Sequence, residues 1–199
     1  EADSLVIDPH KHGMQPYGCG CILFKNPAVG RFYKHDSPYT YFSSNDLHLG
    51  EISLECSRPG AAAVALWATQ RQFPLIPNGE FSENLDNCLQ AAKELYMMLK
   101  MSDKFITFFP PALDIVLWAP KGESFSSISE SSQVLFDACA DQDVHLALYK
   151  YPVEMLPEHL NGIEKDQDHL ICLRSCLMKP EHKYWVKFIF SVMDELLGS

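Results

Sequence analysis

One short segment of the chain places a lysine, two histidines and an aspartate between residues that restrict the backbone. It lies between two apolar runs that predict strands, and it reads Asp8-Pro9-His10-Lys11-His12-Gly13-Met14. Proline and glycine on both sides of Lys11 favour a tight and defined backbone. A neutral lysine amine can form an imine with an aldehyde cofactor. Lys11 is therefore a candidate covalent anchor, and a solvated loop lysine is the alternative.

A metal site is another chemistry that the same segment offers. Four neighbouring side chains are possible ligands, namely His10, His12, Cys19 and Cys21. Their spacing lacks the paired C-x-x-C of structural zinc sites, so we expect no metal here.

Three side chains outside this segment are also candidates. Tyr39 and Tyr41 stand in an aromatic stretch, residues 30–50, that we predict to be a long loop. A phenol can act as a general acid. Arg174 stands within the apolar run 170–174, where an unpaired buried charge is costly. It needs an anionic partner, which is either a ligand carboxylate or an internal acidic residue.

The elements that must position these side chains alternate between strands and helices. Apolar runs predict strands at residues 4–7, 19–24, 105–109, 113–119, 144–149 and 169–177. Helical spacing and capping residues predict helices at 57–69, 85–99, 129–142 and from Pro180 onward. We expect the last helix to bury five apolar residues, Trp185, Phe188, Ile189, Val192 and Leu196. This order predicts an α+β domain with a mostly antiparallel sheet in the C-terminal half.

Composition argues against several partners. A net charge of −10 disfavours nucleic acid and an anionic membrane surface, and no apolar run approaches the ~20 residues that span a bilayer. Seven cysteines scattered through apolar segments predict a reducing compartment, the cytoplasm. The chain starts without Met or a signal-peptide pattern, so we expect a piece of a longer protein.

The string Ser4-Leu5-Val6-Ile7-Asp8-Pro9-His10-Lys11 closely resembles the lysine motif of a known enzyme family. This is the group II family of pyridoxal-phosphate (PLP)-dependent amino-acid decarboxylases, which includes aromatic-amino-acid, tyrosine and glutamate decarboxylases. In that family a strand, then Asn or Asp, Pro and His, precede the lysine that binds PLP as a Schiff base. A second landmark is the helix start Ser57-Arg58-Pro59-Gly60. The resemblance is strong over residues 3–70 and looser beyond about residue 100.

The resemblance implies the α/β fold of the fold type I PLP-dependent transferases. Residues 1–102 would end the large PLP-binding domain, and residues 103–199 would form the small C-terminal α+β domain. The implied reaction is decarboxylation of an L-amino acid to its amine and carbon dioxide by a homodimer. In the family, the segments that bind the cofactor phosphate and ring lie upstream of the lysine. The N-terminal half of the same enzyme is therefore an expected partner.

The resemblance also assigns roles to individual residues. Lys11 would hold PLP, and His10 would lie near the cofactor phosphate and the substrate. Tyr39 or Tyr41 would protonate the substrate carbon, and Arg174 would bind the substrate carboxylate. Arg58 would contact the cofactor phosphate region or the neighbouring subunit, or would serve only the helix start.

The sequence leaves two rival functions open. The helix start at Ser57 and the triplet Trp67-Ala68-Thr69 also resemble sphingosine-phosphate lyase, a PLP enzyme that cleaves a carbon–carbon bond. The other rival is a non-catalytic fragment that acts as an interaction module.

Overall fold

The structure, a computed structural model, describes residues 2–34 and 60–198 of the chain. The chain divides into two compact units, residues 1–75 and residues 76–199. The first unit contains the lysine segment, and the second contains a larger sheet with its own core. Tyr39, Tyr41 and Arg58 lie outside the described residues, so their predicted roles stay predictions.

The first unit is built on a short antiparallel hairpin. Strand β1 (Ser4–Ile7) pairs with strand β2 (Cys21–Phe24), so that Ser4 faces Phe24 and Ile7 faces Cys21. The predicted strand at 4–7 is confirmed. The second strand begins at Cys21 rather than at residue 19, because the chain is still turning at Gly18, where φ is 87°. A 3₁₀ turn (Pro27–Phe32) follows, and helix α1 (Ala61–Gln72) completes the described part of this unit.

The hairpin leaves its apolar side chains open to solvent. Successive residues of a strand point to opposite faces, and here both faces are exposed. The exposed fractions lie between 47% and 71% for Leu5, Val6, Ile7, Ile22 and Leu23. The buried residues of the described part of this unit are Pro9, Gln15 and Cys19. A hairpin of this composition is marginal in water without further packing partners.

The second unit is an α+β domain. In chain order its elements are α2 (Glu80–Met101), β3 (Phe105–Thr107), β4 (Ile115–Pro120), α3 (Phe125–Ala140), β5 (Ala147–Pro152), β6 (His169–Cys176) and α4 (His182–Leu196). The four strands form one sheet in the order β3-β4-β6-β5, and every neighbouring pair is antiparallel. The antiparallel sheet predicted for the C-terminal half is confirmed.

The core of the second unit centres on Trp118 of β4. Its side chain is fully buried, and its indole N–H donates to the buried Ser175 hydroxyl at 2.9 Å. The ring of Phe105 meets it edge-on, with centroids 5.3 Å apart. The same cluster includes Leu95 of α2 and Met193 of α4. Helix α2 therefore packs with the second unit. The boundary predicted at residue 102 concerns the domains of the intact protein and stays a prediction.

Several element boundaries in the second unit differ from the prediction by a few residues, including the starts of α3 and β5. Helix α3 begins at Phe125, four residues before the predicted start, because Ser124 and Ser127 form a reciprocal capping box. Strand β5 begins at Ala147 rather than at residue 144. The Val144 N–H donates to the Cys139 carbonyl at 2.9 Å, which closes the end of α3, and Asp143 takes a φ of 58°.

The buried face predicted for α4 is confirmed in part, since Ile189, Val192 and Leu196 are half-buried and pack against the core. Trp185 and Phe188 are 55% and 52% exposed, so their predicted burial is wrong. The fully buried positions of this helix are Val186 and Met193, seven residues apart on one face.

Candidate functional site

The lysine segment is a compact loop that follows β1 directly. The Lys11 N–H donates to the Asp8 carbonyl at 3.2 Å, and the Met14 N–H donates to the Lys11 carbonyl at 3.0 Å. The Gln15 N–H donates to the Pro9 carbonyl at 3.0 Å. These three bonds close successive turns, so the backbone on both sides of Lys11 is fixed.

Close packing inside this loop requires glycine at position 13. A Cβ there would lie 2.6 Å from the carbonyl oxygen of Pro9 and 2.7 Å from its Cα, which are backbone atoms that cannot rotate away. The next residue, Met14, adopts a left-handed φ of 55°. Such a conformation is costly for a residue with a side chain and persists only where the surroundings impose it.

The Lys11 ammonium group forms an ion pair with Asp8, three residues earlier. Its Nζ donates to Asp8 Oδ2 at 2.9 Å, and the two side chains are 54% and 45% exposed. The hydrogen bond from Lys11, followed by its positive charge, holds the pKa of the Asp8 carboxyl below its usual value. Asp8 therefore stays ionised at neutral pH and holds an amine that an incoming reactant can reach.

A buried glutamine connects the loop to helix α1. Gln15 is 6% exposed, and its Nε2 reaches the carbonyls of Gly13 and Met14 at 3.0 and 3.3 Å. The same nitrogen donates to the Thr69 hydroxyl at 2.7 Å. The opposite amide atom, Oε1, is buried and has no partner among the described residues.

His10 stands next to Lys11 and packs against Tyr17. Their ring centroids are 5.0 Å apart, with the planes tilted by 32°. His10 is half-buried, whereas Tyr17 is 90% exposed. The described structure thus gives His10 a defined packing partner. Its predicted place near the cofactor phosphate stays a prediction.

The side chains considered as metal ligands do not assemble into a site. Within residues 2–34 and 60–198, no three His, Cys, Asp or Glu side chains are grouped so that they could hold an ion. Cys19 is buried, and its thiol donates to the Ala62 carbonyl at 3.6 Å. That contact gives Cys19 a packing role between the loop and α1.

Arg174 lies on β6, and one nitrogen of its side chain is buried. It is paired with Leu117 of β4 and Ala147 of β5, so these three side chains share one face of the sheet. Its Nε is buried, and in the part of the chain that the structure describes it has no hydrogen-bond partner. An unsatisfied buried donor costs about 1–3 kcal/mol, and more for a charged group. No internal salt bridge of Arg174 forms among the described residues, and its predicted contact with a substrate carboxylate stays a prediction.

The sequence suggests roles for Lys11, His10 and Arg174, which stay predictions, but it assigns no role to Asp8 or Gln15. Asp8 had a usable signal, because an acidic residue three positions from a lysine can pair with it across a turn. Gln15 had none, because its partner Thr69 is 54 residues away. The structure places Lys11 and His10 together in the first unit and Arg174 in the second.

The chain is similar to enzymes that act on aromatic amino acids. It is 31% identical over 157 residues to an L-tyrosine decarboxylase from Enterococcus faecium, a match over 72% of this chain and 25% of that protein. In fold it matches the crystal structure of Oryza sativa TDC with PLP and tryptamine, with a TM-score of 0.74 and 16% identity. That match covers 98% of this chain and 39% of the rice chain.

The chain is related to the C-terminal region of the group II PLP-dependent amino-acid decarboxylases. The resemblance seen in the lysine motif is confirmed, and so is the fold type I architecture. A sphingosine-1-phosphate lyase from Burkholderia pseudomallei has the same fold, with a TM-score of 0.66, 14% identity and coverage of 98% of this chain and 37% of that one. No protein-family model matches the chain.

The chain spans about a quarter of the length of the tyrosine decarboxylase that it matches. Among the described residues, no helix has both the length and the apolar character needed to cross a membrane.

Proposed function

We propose that the intact protein is a PLP-dependent decarboxylase that converts an L-amino acid to its amine and carbon dioxide. The observation that carries the proposal is Lys11, an accessible amine on a loop whose backbone is fixed by three hydrogen bonds. Similarity to an L-tyrosine decarboxylase supports the reaction and suggests an aromatic substrate.

The residues present fit the cofactor. PLP, when bound, supplies an aldehyde that joins a lysine amine and a ring that takes up the electrons left when carbon dioxide departs. Lys11 is the proposed attachment point, since its amine is half exposed. Asp8 holds this amine in one position, and Gly13 allows the loop to close on Pro9. His10 is the proposed neighbour of the cofactor phosphate.

The other proposed roles fall to two tyrosines outside the described residues and to one side chain of the second unit. Arg174 is the proposed partner of the substrate carboxylate, because its buried Nε has no acceptor among the described residues. A bidentate contact with a carboxylate would satisfy it. Tyr39 or Tyr41 is the proposed proton donor to the substrate carbon.

The proposed assembly is a homodimer in which the N-terminal half of the same enzyme completes each site. The exposed apolar faces of the hairpin support a further covering surface, because strands rich in Leu, Val and Ile are stable when buried. The cytoplasm is the proposed compartment. The free thiols of the six described cysteines suit reducing conditions.

Turnover by the full-length protein tests the proposal. L-tyrosine and L-tryptophan are supplied with PLP, and carbon dioxide and amine are measured together. We expect Lys11→Ala and Lys11→Arg to lower the rate more than about a thousandfold, because neither side chain can join the cofactor aldehyde. Lys25→Ala, which changes an exposed lysine of the same unit, is the matched control and should keep the wild-type rate.

The same measurement, repeated with a phosphorylated long-chain amino alcohol as a third substrate, separates decarboxylation from its rivals. A PLP-dependent lyase would release an aldehyde from a phosphorylated amino alcohol and no carbon dioxide. The fold shared with sphingosine-1-phosphate lyase is the observation behind this second candidate. A non-catalytic protein would release neither product from any of these substrates.

A further inference from the structure

We propose that Gln15 is a positioning residue for Lys11 and aims the lysine amine at the cofactor aldehyde. The inference rests on the proposed function, since it concerns how the lysine reaches PLP. In the covalent step, Lys11 first releases one proton to solvent and its neutral Nζ attacks the aldehyde carbon. A C=N bond then replaces the C=O bond, and the oxygen leaves with the two remaining amine protons as one water molecule. The rate of that step depends on the approach of Nζ, which the loop backbone directs.

The contacts of Gln15 define how it acts on this backbone. The Met14 N–H bonds to the Lys11 carbonyl, and the Met14 carbonyl in turn accepts from Gln15 Nε2. The same Nε2 reaches the Gly13 carbonyl and the Thr69 hydroxyl. One amide group therefore links the segment after the lysine to helix α1. The loop is tied at its end to an element formed by residues far away in the chain.

The orientation of the amide follows from its acceptors. Two carbonyl oxygens accept hydrogen bonds and cannot donate, so the nitrogen must face them. Oε1 is consequently left buried without a partner among the described residues. A buried acceptor without a donor destabilises the fold, which offsets part of what the three Nε2 contacts contribute. An apolar side chain of similar length would remove both effects.

Because these two effects on stability oppose each other, a positioning role of Gln15 can be measured separately from a contribution to global stability. Gln15→Met removes the stabilising contacts together with the buried unpaired oxygen, so global stability should change little. The loop segment after Lys11 would lose its hydrogen bond to Thr69 of α1. The lysine amine would then sample more directions, and capture of the aldehyde would slow.

The test uses the full-length protein, freed of cofactor and then mixed with PLP. The rate of covalent attachment is followed by absorbance, and thermal unfolding is measured on the same samples. We expect Gln15→Met to slow attachment about tenfold, with an unfolding midpoint within about 2 °C of wild type. Thr69→Val, which removes the hydroxyl acceptor, should slow attachment in the same direction. Because both changes break the same Gln15–Thr69 hydrogen bond, attachment in the double variant should be no slower than in Gln15→Met alone.

Two variants serve as controls. Thr69→Ser keeps the hydroxyl and should restore the wild-type rate. Gln70→Met alters an exposed glutamine one position further along α1 and should have no effect. Attachment at the wild-type rate in Gln15→Met overturns the proposal. The proposal is also overturned if Gln15→Met slows attachment in proportion to a lowered unfolding midpoint and Thr69→Ser slows attachment as well. If wild-type protein itself shows no attachment to Lys11, the proposed function fails, and the positioning role fails with it.

Discussion

The two units of the chain bury their apolar residues to very different extents. In the second unit, Trp118, Leu95 and Met193 belong to one closed core beneath a four-stranded sheet. In the first unit, the hairpin strands expose Val6 and Leu23 by half or more. Yet the first unit holds Lys11, the residue with the clearest chemistry. The difference indicates that the reactive loop is locally tight but depends on other surfaces for its global stability.

Separating the units gives the largest expected effect. Residues 76–199 expressed alone should fold and unfold cooperatively, because their core lies within that range. Residues 1–75 alone should show no cooperative transition, since few of their described side chains are buried. Circular dichroism during thermal unfolding measures both. A cooperative transition in residues 1–75 would contradict the expected difference in independent stability between the two units.

A pair of tryptophan substitutions sharpens the same comparison. Trp118→Ala should lower the free energy of unfolding by about 3–5 kcal/mol, because it empties a fully buried site. It also leaves the Ser175 hydroxyl without its indole donor. Trp67→Ala in the first unit removes a ring that is 60% exposed and should cost less than about 0.5 kcal/mol. Urea unfolding of the 199-residue chain measures both, and equal costs would contradict the proposed difference in packing.

Cysteine reactivity gives a smaller effect that depends on pH. Burial raises the pKa of the Cys172 thiol to about 12, so on the order of one molecule in ten thousand carries the thiolate at pH 8. Cys21 of the hairpin is only half-buried. In the folded 199-residue chain, a maleimide should label Cys21 much faster than Cys172, as read by peptide mass mapping.

Denaturation supplies the control for that labelling. In urea, Cys172 should react as fast as Cys21, because its protection comes from the core. Equal labelling of the two thiols in the native chain would show that the second unit opens as readily as the first.

Features fixed by local sequence were predicted well. Strand β1 was predicted correctly because residues 4–7 form an apolar run that ends at Asp8 and Pro9. The assignment of Lys11 rests on the resemblance of its motif and stays a prediction. The long helix α2 was found because its apolar residues repeat at helical spacing over many turns. The succession of strands along the second half of the chain was also predicted, since each apolar run is bounded by turn residues. In these cases neighbouring residues alone carry the signal.

Features fixed by tertiary contacts were missed. The start of α3 depends on a capping box between Ser124 and Ser127, within a serine-rich stretch that gives no clear period. The exposure of Trp185 depends on which side of α4 packs against α2 and the core, and apolar residues on several sides of the helix leave that open. Gln15 depends on Thr69, which no local pattern connects to it.

Covalent trapping tests the central claim, that Lys11 is the cofactor lysine, most directly. The full-length protein is incubated with PLP, reduced with borohydride, digested and mapped by mass spectrometry. The account predicts that the added pyridoxyl phosphate mass lies on the peptide containing Lys11, at that residue. A modification confined to other lysines, or no modification at all, would contradict it.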